Sequence, residues 1–276
     1  MINDSNNEKK EEQLIEKKKR SNIVFIILVL LLVSIIVTLL LLLFLLKGPK
    51  YNEEEEITIL PPLIFNSTSG KHTHTIIYMP GFSNTPEDYN NTFTNKIIFD
   101  KKSDTNIIIL RSPLTYCTAV KSKNYSWFDI YNFPIRNYSD CNFEDIKKSA
   151  KILEKVIDNE VNILNGKYEN IIIGGHSQGA TVSLYLGYNT KKNLGGLFAF
   201  SGVLPPGEIS KNKNNFKVYY GYGDKDNVIN PSFMLESIER VRNFKGFNLH
   251  LYENHTHHVN SREKSDASAF LNNIIK

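Results

Sequence analysis

Residues 171–186, Ile-Ile-Ile-Gly-Gly-His-Ser-Gln-Gly-Ala-Thr-Val-Ser-Leu-Tyr-Leu, leave few folds open to this chain. Three consecutive isoleucines read as a strand buried on both faces, and residues 180–186 read as a helix. Only residues 175–179, in the pattern G-x-S-x-G, remain to turn one into the other. So sharp a turn puts Ser177 in a strained backbone conformation. Glycines two positions before and after it leave room for neighbouring backbone. A buried strand that turns directly into a helix belongs to a layered α/β arrangement.

The rest of the chain agrees. Short segments rich in β-branched and aromatic residues, bounded by Gly, Pro, Asn or charge, predict strands at 75–79, 106–110, 170–173, 197–200, 217–220 and 248–252. Helices are expected at 144–165, 178–188, 232–243 and 263–275. The first places Ile146, Ala150, Leu153, Ile157, Val161 and Leu164 on one face. The expected fold is α/β of the α/β-hydrolase type, with a mostly parallel central sheet and helices on both faces. There is no internal repeat and no phosphate loop of the G-x-x-x-x-G-K type.

Ahead of this domain, residues 23–46 are apolar except for Ser34 and Thr38. Twenty-four residues at about 1.5 Å each span a hydrocarbon core of roughly 30 Å. A cleavable signal peptide has a shorter apolar core, of about 7–15 residues, so a retained transmembrane anchor is expected. The chain then divides into a polar tail (1–22) expected to be disordered, the anchor (23–46), an acidic stalk (47–57) and an α/β-hydrolase domain (58–276). Six Lys/Arg precede the anchor, four of them at 17–20, and only Lys47 and Lys50 follow it before the acidic run at 53–56. Basic flanks stay cytosolic. The expectation is a single-pass protein with a cytosolic N-terminus and a lumenal or extracellular domain.

Of the net charge of +4, the tail and the anchor flank contribute +3. The remainder is balanced, which gives no electrostatic reason to expect nucleic acid as a partner. Cys117 and Cys141 could pair in an oxidising compartment or remain structural thiols. Sequons at Asn66, Asn90, Asn124, Asn137 and Asn254 are little more than chance supplies in so Asn-rich a chain.

A serine hydroxyl needs a base before it acts as a nucleophile, and in this fold an acid and then a histidine follow the serine in chain order. His255, His257 and His258 lie between the last expected strand and the last helix. Asp224 and Asp226 share the turn after the strand at 217–220. Residue types and order leave open which aspartate and which histidine act. The spacing H-x-H-H also fits a metal site, but no Cys or Glu cluster accompanies it, so no metal is expected. The backbone N–H of Gln178, at the start of the following helix, is available to a developing oxyanion.

At these residues the chain resembles the acyl-protein thioesterase and carboxylesterase/lysophospholipase family of small α/β hydrolases. The resemblance runs from about residue 73 to the C-terminus. It is carried by GGHSQGA (174–180), Ser-Trp-Phe-Asp (126–129), Gly-Asp-Lys-Asp-Asn-Val-Ile (223–229), and Tyr252 followed by His257, Val259 and Glu263. The resemblance implies Ser177, Asp226 and His257 as the catalytic triad. It implies the Phe82 backbone N–H, in Pro-Gly-Phe-Ser-Asn-Thr (80–85), as second oxyanion donor, and Trp127 at the substrate site. It further implies lipid-acylated protein or lysophospholipid as substrate, with no cofactor. Pro80, Ser83, Asn84 and Tyr222 depart from the family pattern. A catalytically silent, membrane-tethered binding protein is the rival of another class.

Overall fold

The computed structural model describes residues 2–46 and 59–275. The chain divides into two units, Met1–Glu56 and Ile57–Lys276.

The first unit is one helix, α1 (Ile2–Leu46). The expectation of a disordered tail is corrected here: residues 2–22 continue the apolar helix. The tail is rich in Glu and Lys, both good helix formers, and extending an existing helix avoids the cost of nucleation. Arg20 adds an i,i+4 bond to Glu16 at 2.9 Å. Residues Glu16–Leu42 are long and apolar enough to cross a membrane by length and composition. The expected stalk at 47–57 lies outside the described residues.

The second unit is a seven-stranded sheet: β1 (Leu63–Phe65), β2 (His74–Met79), β3 (Thr105–Ile109), β6 (Ile171–His176), β7 (Gly196–Phe200), β8 (Val218–Gly223) and β9 (Phe247–Tyr252). Their order is β1-β3-β2-β6-β7-β8-β9, with only β1 antiparallel. A hairpin, β4 (Leu114–Cys117) and β5 (Ser122–Tyr125), stands apart from the sheet. All six expected strands are present, each shifted by three residues or fewer at its ends.

Alternate residues of β2 divide the core. Ile77 and Met79 pack with α2 (Phe143–Ile163), α3 (Gln178–Asn189) and α4 (Pro231–Ile238), whereas Ile76 and Tyr78 pack with α5 (Ser261–Ile274) and the turns around Phe93. All six apolar residues predicted for one face of α2 are buried, and the Asn142 side chain caps its first turn, accepting from the Glu144 and Asp145 N–H groups. The helix expected at 232–243 ends early. After Ile238 the Glu239, Val241 and Phe244 N–H groups bond three residues back, a tightening that carries Val241 into the core.

The strand order reverses between β2 and β6. The chain runs from β2 to β3 on one side and then from β3 back past β2 to β6 on the other, so the carboxyl ends of these two neighbours form a switch point. Open α/β sheets place ligands there, and the turns after β2 and β6 carry Phe82 and Ser177.

Candidate active site

Ser177 follows the last residue of β6 and is the N-cap of α3, with φ 55° and ψ −115°. A non-glycine residue at this φ is strained. The strain is held by neighbours: the Ser177 N–H donates to the Phe200 carbonyl at 2.8 Å, and its carbonyl accepts from the Thr181 N–H at 2.9 Å. The flanking glycines are required by contact. A Cβ on Gly179 would overlap the Met79 carbonyl, and one on Gly175 would overlap the Gly179 backbone.

At the same end of the sheet, the turn after β2 presents three successive N–H groups. That of Gly81 donates to the Tyr89 hydroxyl at 3.2 Å, and that of Ser83 donates to the Tyr125 carbonyl at 2.8 Å. Between them the Phe82 N–H bonds no group among the described residues. The Pro80 carbonyl is fixed by the Trp127 indole N–H at 2.8 Å. Trp127 is 2% exposed, so it acts from inside the protein, holding this turn.

Gln178 fastens the same region. Its Oε1 accepts from the Trp127 N–H at 2.9 Å, and its Nε2 donates to the Phe128 carbonyl at 2.7 Å and to Ser126 Oγ at 3.0 Å. The Ser-Trp-Phe-Asp segment is therefore a latch on the turn that carries Ser177. Its Asp129 accepts from the Thr118 N–H at 2.7 Å and from Thr118 Oγ1 at 2.6 Å.

The turn after β8 and the bend after β9 carry Asp226 and His257, the expected acid and base. Asp226 Oδ1 accepts from the Val228 and Ile229 N–H groups, both at 2.9 Å, and its Oδ2 accepts from His257 Nδ1 at 2.6 Å. Burial raises the Asp226 carboxyl, but the His257 bond and charge, together with the two backbone donors, outweigh it and hold the pKa below the usual value. Donation to the carboxylate puts the His257 hydrogen on Nδ1 and leaves Nε2 as an acceptor. The alternatives left open by the sequence have other partners. Asp224 accepts from the His255 N–H at 3.3 Å, and the His255 ring lies 3.3 Å from Glu263.

Sequence reasoning missed His176. It precedes Ser177, its Nε2 donates to the His257 carbonyl at 2.8 Å, and its ring stands 4.9 Å from that of His257. Burial first, then the charge of His257, lowers its pKa to about 3. It stays neutral at any working pH and adds no charge beside His257. Only its position beside the serine could have marked it. No hydrogen bond joins Ser177 Oγ to His257 among the described residues, and such bonds commonly tighten when substrate binds.

The model of the Phospholipase/Carboxylesterase family matches residues 63–275. The chain belongs to that family. It is similar to acyl-protein thioesterase 1 of Candida albicans, at 33% identity over 55% of this chain and 69% of the relative. It is also similar to that of Debaryomyces hansenii, at 29% identity over 62% of this chain and 77% of the relative. Among solved structures, SOBER1 of Arabidopsis thaliana shares the fold with a TM-score of 0.67 at 17% identity, over 74% of this chain and 99% of that one. Acyl-protein thioesterase 2 of Zea mays does so with a TM-score of 0.63 at 16% identity, over 78% and 99%. The phospholipase/carboxylesterase domain is thus an α/β-hydrolase fold, and the chain is a serine hydrolase for ester or thioester bonds.

Proposed function

We propose that the chain is a membrane-anchored acyl-protein thioesterase working through Ser177, His257 and Asp226. The observation that carries this reading is the 2.6 Å bond from His257 to Asp226, on a bend whose His257 carbonyl is tied to the residue before Ser177. His257 Nε2 removes the Ser177 proton, and Ser177 Oγ attacks the acyl carbonyl. The Phe82 and Gln178 backbone N–H groups receive the negative oxygen. The thiol or alcohol departs with the proton from His257. Water, deprotonated by the same ring, then releases the fatty acid and restores Ser177. Asp226 orients the imidazole and stabilises its cation. Removing one oxyanion donor in such a site costs about 10²–10³ in kcat.

The relatives named acyl-protein thioesterase 1 support S-acylated protein as substrate. Phe82 and Phe133, whose ring centroids lie 6.1 Å apart, place apolar surface beside the oxyanion turn and suit an acyl chain. The same surface suits a lysophospholipid. The apolar stretch of α1 supports a single-pass anchor, and the basic residues before it support a cytosolic N-terminus with a lumenal or extracellular domain.

The test uses the full chain in nonionic detergent. It should hydrolyse p-nitrophenyl butyrate and take a fluorophosphonate label, and Ser177→Ala should lose both; an active Ser177→Ala variant sinks the triad. Rates on a palmitoyl-thioester peptide and on a lysophospholipid, measured side by side, decide the substrate. Inert behaviour toward every ester, thioester and fluorophosphonate would favour the silent binding protein. A mobility shift on endoglycosidase treatment places the domain in the lumen, whereas digestion by protease outside intact cytosol-facing vesicles reverses the orientation.

A further inference from the structure

Glu263 is a charged residue that its local duty does not require to be buried. It belongs to the first turn of α5, where its Oε2 accepts from the Asn260 N–H at 2.7 Å and Asn260 Oδ1 accepts from the Glu263 N–H at 2.9 Å. This is a capping box, and such boxes work on exposed helix ends. Here the residue is 0% exposed, and its second oxygen, Oε1, is buried without a hydrogen-bond partner among the described residues. Burying a carboxyl costs free energy unless its surroundings return it.

The neighbouring ring lies against the other carboxyl oxygen, Oε2. His255 Nε2 lies 3.3 Å from Glu263 Oε2 and also donates to the His258 carbonyl, which fixes the hydrogen on that nitrogen. The His255 backbone is held from the other side. Its N–H donates to Asp224 at 3.3 Å, and its carbonyl accepts from the Lys225 N–H at 2.9 Å. His255 therefore joins three parts of the structure: the acid-bearing turn through its backbone, the first turn of α5 through its ring, and its own bend through the His258 carbonyl. His257 lies inside that clamp, between the two histidines.

We propose that His255 and Glu263 are positioning residues, a strut that sets where the His257 ring stands between Asp226 and Ser177. The inference rests on the reading of His257 as the base. It also gives the H-x-H-H spacing a division of labour: His257 exchanges the proton, His255 braces the bend, and His258 contributes a carbonyl. The strut needs an N–H at the Nε2 position and an oxygen acceptor at residue 263, and the charge of the carboxylate is secondary. Burial pushes the Glu263 carboxyl above its ordinary range, in keeping with a group that works as an acceptor.

The experiment uses the full chain in nonionic detergent, with p-nitrophenyl butyrate as substrate and a thermal melt of each variant. His255→Leu removes the N–H, and His255→Gln restores one at nearly the same reach. Displacing a catalytic group by about 1 Å costs roughly 100-fold, so His255→Leu is expected to lower kcat by about 10- to 100-fold with KM within about twofold. His255→Gln should return kcat to within about threefold of the parent. Glu263→Gln, which keeps an acceptor oxygen, should stay within about fivefold. Wild-type kcat in His255→Leu, an equal loss in the leucine and glutamine variants, or a loss matched by a smaller folded fraction would each overturn the strut. Where His255→Leu does not fold, the Glu263→Gln kcat decides, and a loss larger than about fivefold there overturns it. His257→Ala is the control: full activity in it refutes the base assignment itself, whereas an inactive His257→Ala beside an active His255→Leu refutes only the strut.

Discussion

Acid should destabilise this protein through His176, and the size of the effect follows from its burial. The ring titrates near 6.5 in an unfolded chain and at about 3 in the folded one. Between those values the unfolded state binds a proton that the folded state does not. Stability therefore rises with pH, is complete above about 6.5, and is lost as pH falls toward about 3. Integrating from pH 7 to pH 5 gives a loss of roughly 2 kcal/mol for this one group. The loss is set almost wholly by the unfolded ring, since the folded ring stays neutral throughout that range. Trp127 is the only tryptophan and is 2% exposed, so its fluorescence follows unfolding of the hydrolase unit alone. Urea unfolding of the full chain in nonionic detergent at pH 7 and pH 5 measures the slope. His176→Gln keeps a donor for the His257 carbonyl and cannot titrate. His74 and His250, both lowered chiefly by burial, act equally in parent and variant. The variant should therefore lose about 2 kcal/mol less than the parent over this interval. Equal losses in the two would refute a neutral, buried His176.

Three further outcomes are expected. Asp226→Asn should leave the fold in place and lower kcat by about 10³- to 10⁴-fold on p-nitrophenyl butyrate, because the amide no longer selects the productive His257 tautomer. Gly179→Ala should fail to give folded, fluorophosphonate-reactive protein, since the added methyl overlaps the Met79 carbonyl, and size-exclusion chromatography with labelling will show it. Trp127→Phe removes the donor to the Pro80 carbonyl and should cost about 1–3 kcal/mol in urea unfolding.

The site was legible where chemistry imposes a pattern. The tight turn at 175–179 required glycines and a buried strand, and both are in place. The six strands declared themselves by β-branched runs, because a sheet covered on both faces tolerates little else. Which carboxylate meets which imidazole was a matter of three-dimensional placement. Asp224 and Asp226 look equivalent in the chain, and the family resemblance, with no help from residue type, pointed to Asp226. The helix of residues 2–22 was missed because polarity was read as disorder, although the apolar helix beside it supplies the nucleus. β1, with three residues, and the β4–β5 hairpin are too short or too exposed to carry a periodic signal. His176 and Glu263 escaped because their importance lies in what surrounds them.

Gln178 serves two masters. Its main-chain N–H is the oxyanion donor proposed above, and its side-chain amide clasps residues 126–128. A substitution that loosens the clasp also disturbs the donor, so these two parts of the site cannot vary independently. Changes in acyl-chain preference should therefore accumulate at Phe82 and Phe133, whose side chains carry no such double duty, while position 178 stays closed to drift and to design.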